Sequence, residues 1–216
     1  MSDPARSLQN IGTSALPFYG LDIETDTTVN GLDPRVAAVV SIAVVGPGLE
    51  LVLDGDNESA MLAALDQTLR DTPPGVLVTW NGGGFDLPFL FDRGIATGVS
   101  LGLELRADSS IAGHHEPLPG HSSAYRGRWG AHAHLDAYQM YRADVGRALD
   151  ISCGLKPLAR LVGLPLVSVD REQIHSLDPQ TRRAYVASDA WLAAEMAKRR
   201  PTAMRWVDQF SSLSGS

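Results

Sequence analysis

Apolar positions along this chain fall into two rhythms, a short strand-like one and a longer helical one. Residues 17–23 and 50–53 carry brief apolar runs, and residues 36–45 carry a run whose apolar face is almost continuous. The Gly46-Pro47-Gly48 turn joins the second run to the third, so the chain opens as a three-stranded meander. The rhythm then becomes helical over residues 58–70, where Met61, Leu62, Leu65 and Leu69 share a face. Asn57 is placed to cap that helix, and Pro73-Pro74-Gly75 ends it. Residues 76–80 read as a short buried strand, and a helix begins at Asp86 and runs through residue 93, with Leu87, Leu90 and Phe91 on one side. A strand at 134–138 and helices at 155–162 and 179–198 complete the pattern. A meander followed by alternating helices and strands predicts an α/β or α+β domain on a mixed β-sheet flanked by helices. We assign it to residues 16–200, between tails at 1–15 and 201–216, with no internal repeat.

One stretch resists both rhythms. Residues 107–133 are rich in histidine and glycine and read as an irregular insertion, either a functional loop or partly disordered. Tyr125, Arg126, Arg128 and Trp129 within it form the basic and aromatic mixture that can hold a single nucleic-acid strand, although a solvated loop has the same composition. The spacing of His114, His115, His121, His132 and His134 matches no familiar zinc-ligand pattern.

Bulk composition narrows the class of protein without naming its chemistry. With 216 residues, 44% hydrophobic and 20% charged, the chain has globular composition and room for one substantial core. Its single cysteine, Cys153, excludes an internal disulfide and suits a reducing compartment. The N-terminal residues have no apolar segment of a secretion signal, and no apolar run approaches the roughly 20 residues that span a bilayer. These features predict a cytoplasmic protein without a membrane partner. A net charge of −7 argues against broad contact with nucleic-acid phosphates, so any such contact must rest on local patches and bound cations.

The candidate chemistry lies in three short acidic motifs. The first is Leu21-Asp22-Ile23-Glu24-Thr25 on the opening strand, where residues two apart point to the same face. Asp22 and Glu24 can therefore share a ligand while Leu21 and Ile23 face the core. The second is Asn81-Gly82-Gly83-Gly84-Phe85-Asp86, whose glycines let backbone approach a ligand closely at a strand-to-helix junction. Without Gly-Lys-Ser/Thr or Gly-x-Gly-x-x-Gly it is no phosphate cradle, and a turn with Asp86 as helix cap fits it equally well. The third places Tyr185 and Asp189 four apart on the last helix, one turn from each other. Four carboxylates brought together would repel unless cations held them, which points to a divalent-metal site. Hard oxygen ligands suit magnesium or manganese, and two such ions about 3.5–4 Å apart are the usual device for cleaving phosphodiesters.

Taken together, Asp22-Ile23-Glu24, Asn81 to Asp86 followed by Leu87-Pro88, and Tyr185-x-x-x-Asp189 resemble the three exonuclease motifs of the DEDD superfamily. More narrowly, the pattern is similar to the proofreading 3′-5′ exonuclease domain of family B DNA polymerases and its stand-alone bacterial relatives. The likeness runs over residues 18–198 and includes His134-Leu135-Asp136 and the run 155–159. It implies a ribonuclease-H-like fold in which Asp22, Glu24, Asp86 and Asp189 hold two magnesium or manganese ions. It also implies that Tyr185 positions the attacking water. A sister branch uses a histidine one residue earlier, and Ala184 there puts this chain in the tyrosine branch.

The implied reaction removes nucleoside 5′-monophosphates from a free 3′ end, with single-stranded DNA favoured as substrate. Ile23, Thr25, Asn81 and Phe85 are the candidate substrate contacts, Phe85 as an apolar surface for the terminal sugar or base. Asp136 reads as a supporting or structural residue outside the metal set. We expect no polymerase segment to follow, so the proofreading substrate is not expected to carry over, and two alternatives stay open: a phosphodiesterase acting on short oligonucleotides or RNA, and a non-catalytic nucleic-acid-binding module.

Overall fold

In the computed structural model, which describes residues 16–111, 117–170, 174 and 176–207, the strands join into one mixed sheet. They are β1 (Phe18–Thr25), β2 (Val39–Gly46), β3 (Leu49–Asp54), β4 (Val76–Thr79), β5 (Leu103–Asp108), β6 (Ala124–Trp129) and β7 (His132–Asp136). Their order is β3-β2-β1-β4-β7-β6-β5. The meander and the far hairpin are antiparallel, while β1, β4 and β7 run parallel through the middle. The helices are α1 (Glu58–Asp71), α2 (Asp86–Thr97), α3 (Ala137–Tyr141), α4 (Arg147–Leu149), α5 (Leu155–Leu161) and α6 (Pro179–Lys198), with a π-helical turn at Arg142–Gly146 between α3 and α4. None of the described helices is long and apolar enough to cross a membrane.

Local chemistry accounts for several boundaries. The Asn57 side chain accepts the Ala60 N–H at 3.1 Å and starts α1. Asp178 does the same for Thr181 at 3.0 Å, with Pro179 in the first turn of α6. Alternation along β1 then decides the layers. Tyr19, Leu21 and Ile23 are buried with Leu62, Leu65 and Leu69 of α1 and with Leu87 and Leu90 of α2. Gly20, Asp22 and Glu24 take the opposite face, which α6 crosses. A second core beneath α5 and α6 joins Val76, Val78 and Leu135 to Leu158, Leu192 and Met196.

Several expectations need correction. The stretch 107–133 is an ordered arm of the sheet over much of its length, because β5 and β6 pair antiparallel from Leu103↔Trp129 to Asp108↔Ala124. The strand expected at 134–138 is β7 at His132–Asp136, and Tyr138 belongs to α3, which Asp136 caps by accepting the Tyr138 N–H at 3.1 Å. The chain beyond residue 200 is not wholly a tail, since Ala203 is 3% exposed and packs into the second core. The expected tail at 1–15, His114, His115 and the end of the chain from 208 lie outside the described residues.

Candidate metal centre

Gly20 sets the geometry of the centre. A Cβ at that position would stand 1.7 Å from the carbonyl oxygen of Ala190, so only glycine lets the α6 backbone lie directly on β1. Ala190 follows Asp189, and Asp22 and Glu24 share the face of Gly20. Close approach of strand and helix therefore brings three carboxylates together. One ligand oxygen from each of Asp22, Glu24 and Asp189 lies within 4.8 Å of the others. Asp22 is half-buried and Asp189 is 1% exposed.

Asp86, the fourth expected ligand, is not part of that trio. It is the first residue of α2 and makes no side-chain cap; Phe85 holds the cap position, which removes the helix-cap alternative. The β1–β4 ladder runs only from Phe18 to Gly20, whereas β1 continues beside β2 to Thr25. The Asp86 carboxylate accepts the Ile23 N–H in the stretch beyond that ladder, which places it at the backbone between Asp22 and Glu24. Burial pushes its carboxyl up to about 7, the Asp136 carboxylate adds to the shift, and backbone amides and His134 oppose it. Burial raises Asp136 as well.

Asp136 holds the glycine loop that leads into α2. Its two oxygens accept the N–H of Asn81 at 3.0 Å and of Gly83 at 3.2 Å. Asn81 sits at φ 69, a left-handed conformation that asparagine tolerates and that the Asp136 contact fixes. Gly83 is needed for space, because a Cβ there would come 2.6 Å from the Tyr125 carbonyl. The loop is thus clamped between β6 and β7 and aims Asp86 at β1.

Tyr185 is 0% exposed, one turn before Asp189. Lys156 of α5 lies over its ring, with Nζ 3.5 Å from the centroid, and the same Nζ is 3.2 Å from Asp189 Oδ2. Sequence reasoning missed Lys156. A lysine in the first turn of a helix carries no signal of its own, and only the packing of α5 on α6 brings it to the acidic motif.

The expected substrate contacts divide. Ile23 is 5% exposed with its side chain in the core, and Thr25 Oγ1 donates to the Gly31 carbonyl at 2.7 Å. Asn81 Oδ1 is buried with no hydrogen-bond partner among the described residues, and half-buried Phe85 stacks at 5.4 Å from Phe89. The basic and aromatic groups of β6 face inward or toward local acids. Trp129 donates to Asp66 at 2.8 Å, Arg126 pairs with Asp108 at 2.6 Å, Arg128 with Glu104 at 2.5 Å, and Tyr125 bonds His121 at 2.6 Å.

The donor set suits a hard divalent cation. Three clustered carboxylates carry three negative charges, Lys156 offsets one of them, and a divalent ion offsets the other two.

Comparison with known proteins agrees with the fold. Residues 36–176 match the family described as predicted 3′-5′ exonuclease related to the exonuclease domain of PolB. That span includes Asp86 and Asp136; Asp22, Glu24, Tyr185 and Asp189 fall outside it. The family B DNA polymerase of the hyperthermophilic archaeon Pyrobaculum calidifontis is similar in structure, with a TM-score of 0.62 and 22% sequence identity. The similarity covers 86% of this chain and 24% of the polymerase. No curated protein matches the chain. The mixed sheet with its flanking helices is the ribonuclease-H-like exonuclease fold.

Proposed function

This chain belongs to the family of predicted 3′-5′ exonucleases related to the exonuclease domain of PolB, and from that premise we propose that it is a metal-dependent 3′-5′ exonuclease of the tyrosine branch. The observation that carries the reading is the convergence of Asp22, Glu24 and Asp189 beside Tyr185. Its substrate is a single strand with a free 3′ end, DNA ahead of RNA on the likeness to a DNA polymerase.

Asp22, Glu24 and Asp189 would hold magnesium or manganese, and Asp86 would complete the set from the Ile23 side. A divalent ion held there would supply Lewis-acid polarisation of the phosphate and a more acidic attacking water. Tyr185 would orient that water through its hydroxyl as a hydrogen-bonding partner. Lys156 fixes the Tyr185 ring and balances Asp189. Asn81 Oδ1 offers an acceptor to a hydroxyl of the terminal sugar, and Phe85 offers an apolar face to its base. Ile23 contributes its backbone to Asp86, and Thr25 shapes the adjoining turn.

The test is a substrate panel of single-stranded DNA, duplex DNA, RNA and short oligonucleotides, each with magnesium, manganese or chelator. Products are identified by chromatography. The reading predicts nucleoside 5′-monophosphates only when metal is present. Release of 3′-monophosphates, or digestion undiminished by chelator, overturns it.

A further inference from the structure

Away from the carboxylates, a cavity of about 610 Å³ opens between the π-helical turn, the loop that follows it and Trp206. Its volume lies in the range of small-ligand sites. Arg142 and Arg147 line it, together with Tyr138, Gln139 and Trp206, and none of the described lining residues is acidic. In a protein of net charge −7, that is a local reversal of sign. The π turn creates it. Five residues apart on an α-helix means about 140° around the axis, so Arg142 and Arg147 would diverge. Here the Arg147 N–H reaches the Arg142 carbonyl across the widened turn, and both guanidinium-bearing residues come to the same cavity.

We propose that this cavity binds one nucleotide unit of a nucleic-acid strand, with its phosphate on Arg142 and Arg147 and its base against Trp206. Guanidinium forks suit phosphate oxygens, and an indole 38% exposed at the rim suits a base face. Tyr138 joins the two sites, because it lines the cavity while its N–H holds Asp136, the residue that clamps the glycine loop of the metal centre. The cavity thereby takes over the strand-holding role that the sequence suggested for Tyr125, Arg126, Arg128 and Trp129. The proposal rests on the nuclease reading for the identity of the strand. A free mononucleotide carries the same chemistry and is the other source of the ligand.

Binding is measured by fluorescence anisotropy with the full chain in chelator, so that no turnover occurs. The probes are a labelled single-stranded oligonucleotide and a labelled nucleoside 5′-monophosphate. We expect Arg142→Gln/Arg147→Gln and Trp206→Ala each to weaken oligonucleotide binding about fivefold or more. The charge-keeping pair Arg142→Lys/Arg147→Lys should recover part of that loss, which separates charge from misfolding. Loss confined to the oligonucleotide assigns the site to the strand, and equal loss for the mononucleotide assigns it to a free nucleotide. Wild-type affinity in both the glutamine pair and Trp206→Ala overturns the site. Normal 3′-5′ digestion alongside that outcome leaves the nuclease reading standing, whereas weakened binding in a chain that digests nothing removes the nuclease reading and keeps the site.

Discussion

Burial raises the Asp86 carboxyl to about 7, whereas an unfolded aspartate titrates near 3.8, so the folded chain holds this proton more tightly between those values. Without metal, raising the pH through that window removes stability, and the loss is complete above about 7. We expect the metal-free melting temperature to fall over that range and Asp86→Asn to flatten the fall by several degrees, at about 2–4 °C per kcal/mol for a chain of this size. Calorimetry in chelator checks this; an unchanged pH slope in the variant contradicts the buried assignment. Manganese competes with the same proton, so its affinity should rise with pH across the window. Tyr185 makes a different prediction. Tyr185→Phe should slow turnover by about tenfold to a hundredfold while leaving manganese affinity, read by calorimetric titration, within about twofold of wild type. Unchanged turnover removes the tyrosine from the reaction. At this scale the acidic motifs were readable because each sits at a spacing with a fixed geometric meaning. The place of Asp86 was not, since nothing local says that β4 releases β1 after Gly20 and leaves the Ile23 amide to its carboxylate.

Elements assemble the site through one close contact, that of α6 on β1. Gly20→Ala drives a methyl into the Ala190 carbonyl, so α6 must shift and carry Asp189 with it. We expect a fall of several degrees in melting temperature together with weaker manganese binding and lost digestion. Retention of full metal affinity would show that the helix can move without opening the trio. Residues 179–198 were legible as a helix to both ends, because Asp178 and Pro179 give an N-terminal signal and the pattern continues to Lys198. The β5–β6 hairpin was not legible. Its strands pair across residues 109–123, far beyond a tight turn, and polar residues such as Arg128 and Trp129 find partners on the neighbouring strand or on α1. Asp136 did offer a cap signal before α3, but the apolar residues after it let the strand reading run on to Tyr138. The π turn that follows is written in residues that suit an α-helix equally well.

Across the whole molecule, three parallel central strands end at one edge, and motifs separated by more than a hundred residues meet there. Sequence order alone supplied the resemblance; the packing of α6 on β1 decided which carboxylates come together. The acidic chain gathers Arg142, Arg147 and Trp206 at one cavity, and the link from there to the carboxylates that the structure shows is the Tyr138 N–H on Asp136. The central claim is that Asp22, Glu24 and Asp189 hold the metal that cuts the strand. The most direct measurement is digestion of a 5′-labelled single-stranded DNA with manganese by wild-type protein and by Asp189→Asn in parallel. The account predicts a ladder shortening progressively from the 3′ end for wild type, and a loss of about a thousandfold or more in the variant, whose manganese binding falls with it. Shortening of the same strand at an undiminished rate by Asp189→Asn contradicts the account.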